Sequence, residues 1–308
     1  MIATTETRAS HSLLVNIVEG CANCGSTSYQ TWSATIGFDH LHFAQCRCND
    51  CGLIFSNPQC DQATVNSYYA NHYYEDHWPQ LLDDDRDSIA KVTARLAAEV
   101  ERIKGLIKGG KLLEVGSGTG AFLRLMQDEG FETHGVELSQ AGVEYARRVH
   151  VQMNVRQGTL EGAGYPAESF DVIYAWHVIE HVTDLDAFVR ELHRLLRPRG
   201  LLWLGTENYR NSSYYLTRLQ KLLHGLPPPF ATSTEHTFAF NAKTLSDVLK
   251  RRGFEISFCE TYQPAWPEKV QTMEFRSVLS KGFFMSQHFA NQLSRNGPLL
   301  RLAARRST

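Results

Sequence analysis

From Ile89 onward, apolar residues recur every three or four positions: Ile89, Val92, Leu96, Val100, Ile103 and Ile107. That spacing stacks them on one helical face and predicts a helix over 88–108, which Gly109-Gly110 ends. Beyond Lys111 the period changes. Short apolar runs over 111–115, 132–136, 151–156, 170–175, 201–205 and 255–259 predict strands. Amphipathic stretches over 119–129, 140–149, 185–196 and 244–252 predict the helices between them. Strands alternating with helices imply an α/β, doubly wound, mostly parallel sheet covered on both faces. Ligands of such sheets sit beyond the carboxyl ends of the strands. Residues 207–238 interrupt the alternation with a predicted helix over 213–223 and Pro227-Pro228-Pro229, and read as an insertion at that ligand face.

The flanks behave differently. Residues 1–20 have no sustained pattern and read as a flexible lead. Residues 21–57 are cysteine-rich with short β-type runs, and 58–85 carry Tyr68, Tyr69, His72, Tyr73, Tyr74, His77 and Trp78, an aromatic connector or a lid. The main domain then spans 86–283, and 284–308 is expected to be a C-terminal helical tail. Arg295, Arg301, Arg305 and Arg306 would give that tail a solvated basic face, with weak peripheral membrane contact as its furthest use.

Composition narrows the class. The chain has 308 residues, 43% hydrophobic and 21% charged, with a formal net charge of −2. Nothing there draws it to nucleic acid. No run reaches the ~18 apolar residues of a membrane span, and the first residues lack a secretory core, so a cytoplasmic location is expected.

Of seven cysteines, six lie between Cys21 and Cys60. Cys21-Ala-Asn-Cys24 and Cys48-Asn-Asp-Cys51 form two C-x-x-C knuckles, each followed by glycine. Four thiolates turned to one point make a closed tetrahedral shell, so a structural Zn²⁺ with a zinc-ribbon-like segment is expected. Cys46 is a near-ligand; Cys60 and Cys259 read as ordinary thiols. Between Cys21 and Cys51 the only Lys or Arg is Arg47, which argues against a nucleic-acid ribbon.

Leu112-Leu-Glu-Val-Gly116-Ser-Gly118-Thr-Gly120 follows a predicted strand and opens a helix. By itself it also fits a dinucleotide loop. Two acids separate the readings. Glu114 would repel a phosphate and suits a cationic amino-acid tail, whereas Glu137, at the end of the next strand, can accept both hydroxyls of a ribose. A nucleoside with a positively charged amino-acid tail satisfies both.

With these residues the chain resembles the class I S-adenosylmethionine-dependent methyltransferases. Glu114-Val-Gly116-Ser117-Gly118-Thr-Gly120 is similar to their first motif and Glu137-Leu138 to their ribose-binding acid. Gly158-Thr159-Leu160 takes the place of the adenine-contacting segment. Phe170 to Val182, with His177, Glu180 and His181, matches the fourth-strand motif, and Leu195 to Leu202 the entry to the fifth. The resemblance implies a Rossmann-like seven-stranded sheet, S-adenosylmethionine as cofactor, and cofactor contacts from Glu114, Gly116, Ser117, Gly118, Gly120, Glu137, Leu138, Thr159, Leu160 and His177. Cys51-Gly-Leu-Ile-Phe-Ser-Asn-Pro58 and His236-Thr-Phe-Ala-Phe-Asn241 resemble a subgroup with an N-terminal zinc-binding segment, which implies a small-molecule or glycan acceptor from sugar or natural-product chemistry.

His181 and His236 are the candidate catalytic residues, because imidazole takes up a proton near neutral pH. Two other readings compete: a nicotinamide-dependent sugar oxidoreductase or epimerase, and a non-catalytic zinc-containing scaffold. The first needs a Tyr-x-x-x-Lys pair, which the chain lacks.

Overall fold

The computed structural model describes residues 15–36, 42–71, 86–150, 152–212, 214–215, 219, 236–262, 289, 291 and 293–308. The N-terminal part has β1 (Val15–Asn16), β2 (Tyr29–Ile36), β3 (His42–Cys48), β4 (Ile54–Asn57), β5 (Gln59–Cys60) and helix α1 (Gln62–Asn71). Helix α2 (Arg86–Leu106) leads into β6 (Gly110–Val115), α3 (Ala121–Asp128), β7 (Phe131–Glu137), α4 (Gln140–Val149) and β8 (Val155–Gln157). The second half holds β9 (Phe170–Trp176), α5 (Leu185–Leu195), β10 (Leu196–Glu207), β11 (Phe238–Ala239), α6 (Ala242–Lys250), β12 (Phe254–Tyr262) and β13 (Leu299–Arg306).

Seven strands form one sheet in the order β12-β13-β10-β9-β6-β7-β8. Strands β6 to β10 pair in parallel, and β13 runs antiparallel to both β10 and β12. The chain winds from β6 toward β8, then returns to place β9 on the other side of β6. The crevice beyond Val115 and Trp176 is therefore the topological switch point, where such sheets take ligands.

Each helix forms because its apolar stripe has a sheet face to cover. On one face α2, α3 and α4 bury Val100, Ile103, Phe122, Leu123, Met126, Val143 and Ala146. On the other, α5 and α6 bury Leu185, Phe188, Val189, Leu192, Leu245, Val248 and Leu249. Helix starts are capped: Ser139 accepts from Gly142 N–H, Asp184 from Ala187 N–H, and Asn241 and Thr244 cap one another reciprocally.

The N-terminal part is not a separate bead. Strands β2, β3 and β4 make an antiparallel sheet whose fourth member is β11, from the far side of residues 207–238. Cys21, Cys48, Leu53 and Phe55 share one apolar core with Phe238, Phe240 and α5. Most of 213–235, with the triple proline, lies outside the described residues, as do 72–85 with the remaining connector aromatics. Tyr68 and Tyr69 lie on α1.

The expectation of a C-terminal helical tail over 284–308 is corrected. Leu299–Arg306 is a strand, seated between β10 and β12. Leu300, Leu302, Ala303 and Ala304 are fully buried, a run that a two-sided central strand requires. The expected solvated basic face is corrected at Arg301, while Arg295 is exposed and Arg305 and Arg306 are half-buried. Arg301 is 4% exposed and donates to Glu99 through Nε and Nη2 and, through Nη1, to Glu260 at 2.7 Å. Trp203 Nε1 also donates to Glu99, at 3.0 Å. Among the described residues no helix is long and apolar enough to cross a membrane.

Candidate functional site

The glycine loop sits where β6 ends. Gly116, Gly118 and Gly120 all have positive φ, at 70°, 53° and 76°. At Gly116 space is also short, since a Cβ would lie 2.8 Å from Val178 Cγ2. The loop is tied back by Gly116 and Ser117 N–H groups donating to Val136 O. The second half of the loop then turns directly into α3.

Two carboxylates flank this turn. Glu137 is buried at the end of β7. Its Oε2 accepts from Gly118 N–H and its Oε1 from Ser139 N–H, both at 2.8 Å. Burial raises its pKa; those N–H groups oppose the rise. Each oxygen keeps a lone pair for a ligand hydroxyl. Glu114 is 7% exposed, and its Oε2 has no hydrogen-bond partner. Burial and the neighbouring Glu137 charge push its pKa well above the carboxylate range. A buried carboxylate oxygen without a donor is costly unless a cation or proton meets it.

The remaining predicted cofactor residues lie just beyond the carboxyl ends of β7, β8 and β9. Leu138 is half-buried after β7 and Leu160 is buried. Thr159 Oγ1 accepts from Gly162 N–H at 3.0 Å, so the hydroxyl shapes its own turn. Gly158 N–H donates to Glu137 O, which sets this turn beside the acid. His177 follows β9 with φ 54°, a left-handed conformation costly for a non-glycine residue. Its N–H donates to Gly205 O, and its Nδ1 lies 2.9 Å from Glu180 Oε1.

The two candidate catalytic histidines come together although they lie 55 positions apart along the numbering. His181 and His236 rings meet edge to face with centroids 4.7 Å apart. The segment carrying His236 is clamped from two sides. Thr237 and Phe238 N–H donate to Glu180 O at 2.8 and 3.0 Å. From β4, Ser56 Oγ donates to His236 O and Ser56 N–H to Thr237 O. Tyr69, on α1, places its hydroxyl 2.7 Å from His181 Nδ1.

Glu180 is the residue on which this cluster converges. It was legible only as part of a motif, not as a site residue. It is 1% exposed; burial opposes its ionisation, but the His177 hydrogen bond and the His181 charge lower its pKa to about 2. Glu207, Thr206 and Tyr209 complete a small cavity with Glu180, His236 and Phe240. Their sequence signal was position alone: they lie at and beyond the carboxyl end of β10.

The four predicted metal-ligating cysteines also meet. The Sγ atoms of Cys21, Cys24, Cys48 and Cys51 all lie within 4.8 Å of one another. Cys21–Cys51 and Cys24–Cys48 are each 3.5 Å apart. Gly25 and Gly52 take φ of 74° and 79°, which closes each knuckle with a bond to the carbonyl of Cys21 or Cys48. Burial resists ionisation of Cys48, but the backbone N–H groups of Cys51 and Asp50 outweigh it and bring the thiol to about 7. Cys46, the near-ligand, stands outside the cluster.

Fold and site together define a methyltransferase domain. The chain belongs to that family: the family model described as a methyltransferase domain matches residues 85–257. A probable S-adenosylmethionine-dependent methyltransferase of Mycolicibacterium smegmatis is 30% identical over 156 residues, 51% of this chain and 56% of that protein. A ubiquinone biosynthesis O-methyltransferase of Mesorhizobium japonicum is 32% identical over 134 residues, 42% of this chain and 52% of its own length. The alignments thus span about half the length of these curated relatives. Among solved structures, a SAM-dependent methyltransferase from Archaeoglobus fulgidus superposes with a TM-score of 0.51 at 18% identity, covering 75% of this chain and 100% of that one. The [4+2]-cyclase SpnF gives 0.50 at 21%, covering 70% and 81%. At these identities the structures speak to the fold alone.

Proposed function

We propose that this chain transfers a methyl group from S-adenosylmethionine to a hydroxyl-bearing small molecule, of sugar or natural-product type. One observation carries the reading. Glu114 and Glu137 flank a phosphate-excluding glycine turn, with Glu137 oriented by two backbone donors and Glu114 Oε2 without a partner. That donor set fits a ribose at Glu137 and an ammonium at Glu114, and it fits a pyrophosphate badly.

When bound, the cofactor supplies an electrophilic methyl group on a sulfonium. The protein's part is alignment, exclusion of water, and management of the acceptor's proton. Glu137 and Glu114 hold the two ends of the nucleoside; Thr159 and Leu160 border its base. His177, fixed by Glu180 and Gly205, stands between this crevice and the histidine cluster. The acceptor enters at Glu180, His181, His236 and Glu207. Its oxygen forms the new bond to carbon as the carbon–sulfur bond breaks, and its proton is lost at the cluster. The relatives named O-methyltransferases favour oxygen as the acceptor atom.

In the same reading the four cysteines hold a structural Zn²⁺. Four thiolates leave no open position, so the ion builds β2 to β4 and performs no chemistry. Through Ser56 that sheet sets His236.

Calorimetry with S-adenosylhomocysteine on the full-length protein tests the cofactor assignment: saturable binding of one equivalent is expected, and none would refute it. For the acceptor end, His181→Ala is expected to cut turnover about a hundredfold or more while cofactor affinity stays within a few fold.

A further inference from the structure

The histidine cluster has a feature that proton transfer alone leaves unexplained. Glu180 Oε1 is engaged by His177, but Oε2 is buried and meets no donor. An ionised carboxylate oxygen sealed from water without a donor demands a positive partner. Glu180, His181 and His236 each offer one ligand atom, and these atoms lie within 4.8 Å of one another.

We propose that Glu180, His181 and His236 form a second metal site, distinct from the four cysteines, that holds one divalent transition-metal ion at the acceptor end of the crevice. Two imidazoles and one carboxylate suit Zn²⁺, Mn²⁺, Fe²⁺ or Co²⁺ and leave coordination positions open for substrate. The surroundings are those of ligand histidines. Tyr69 hydroxyl binds His181 Nδ1, which fixes the ring and assigns Nε2 to the metal. Glu207 Oε2, 3.6 Å from His236 Nδ1, orients the second ring. His177 does the same for Glu180.

This deepens the methyl-transfer reading and rests on it for its chemical consequence. An open metal acidifies a bound hydroxyl, as it brings bound water down to about 7. The acceptor oxygen would bind the ion and pass its proton by way of the partly exposed Glu207 carboxylate to solvent. Its lone pair would then form the carbon–oxygen bond as the carbon–sulfur bond breaks. The implied acceptor is a hydroxyl, with a neighbouring oxygen able to share the ion.

The test counts ions on the full-length protein. Metal retained on purification is measured by elemental analysis, and further uptake by titration with Mn²⁺, read from loss of the free-ion electron paramagnetic resonance signal. The total is expected to fall by one ion per chain in Glu180→Gln and again by one, from the same wild-type total, in His236→Ala. Circular dichroism melting selects folded material, and His181→Ala serves as the third variant should either of the others fail to fold. An unchanged total in folded variants overturns the site. S-adenosylhomocysteine binding, measured on the wild type alone, reports the methyltransferase reading separately: its loss would refute that reading and leave the ion count standing.

Discussion

If Glu114 meets the cofactor's ammonium, as proposed above, it couples cofactor binding to a proton. Burial and the Glu137 charge raise its pKa in the folded protein. A raised carboxyl pKa means the folded state holds the proton more tightly than the unfolded chain. Its contribution to stability is therefore present below the ordinary carboxylate pKa and is lost as pH rises through the raised value. An ammonium placed beside Glu114 reverses this by favouring the ionised form. S-adenosylhomocysteine binding is thus expected to release protons, increasingly so toward acid pH, and calorimetry in buffers of different ionisation enthalpy measures it. Glu114→Gln should abolish the release and weaken binding roughly tenfold to a hundredfold, about 1.5–3 kcal/mol for a charged hydrogen bond. Both acids could be read from sequence because each sits beside its own strand end in a contiguous motif. Glu180 could not be read in the same way. Its meaning depends on His236, which arrives through a hydrogen-bonded segment that no local pattern announces.

At the scale of elements, the strand most informative for stability is β13. Its Arg301 is buried against a partner 202 positions away, Glu99 of α2, which also accepts from Trp203 of β10. Removing one partner of a buried pair costs about 3–5 kcal/mol, and here Glu260 still holds Arg301 Nη1, which sets the loss toward the lower end. Glu99→Leu is therefore expected to lower stability by about that much. Adding Arg301→Met should restore most of the loss, because apolar replacements of both partners are often neutral. Urea unfolding of the two variants checks it; a double variant less stable than the single one would refute the account. The same pair explains why the sequence misled here. Arg301, Arg305 and Arg306 read as a solvent face, whereas the run from Leu300 to Ala304 has the double-sided burial of a central strand. The helices α4 and α5 were legible because apolar spacing, caps and ends coincide over 140–149 and 185–195. Strand β10, by contrast, reaches back to Leu196 and on to Glu207, with a register shift between Leu196 and Leu201 that no periodicity records.

For the whole molecule, the proposed reading has the cysteine segment act on the acceptor end, through β4, and leave the cofactor end alone. Strand β4 reaches His236 through Ser56 and carries β11 as its neighbour, so the knuckles, β4 and the histidine form one mechanical path. The acids proposed to bind the cofactor, Glu114 and Glu137, lie instead on β6 and β7, which among the described residues pair only with one another, β8 and β9. If a metal ion holds the four thiolates, replacing one ligand loosens that path first. In Cys24→Ser, a half-buried ligand position, the amides of Thr237 and Phe238 should exchange with solvent at least tenfold faster, a loss of about 1.4 kcal/mol of local protection. Amides of β6 and β7 should keep their protection, and affinity for S-adenosylhomocysteine should change little. Hydrogen exchange read residue by residue separates this from general destabilisation, which would speed both regions together. Unchanged exchange at Thr237 and Phe238 would mean that the cysteine cluster stabilises only itself, and the clamp on His236 would have to be sustained by Glu180 alone.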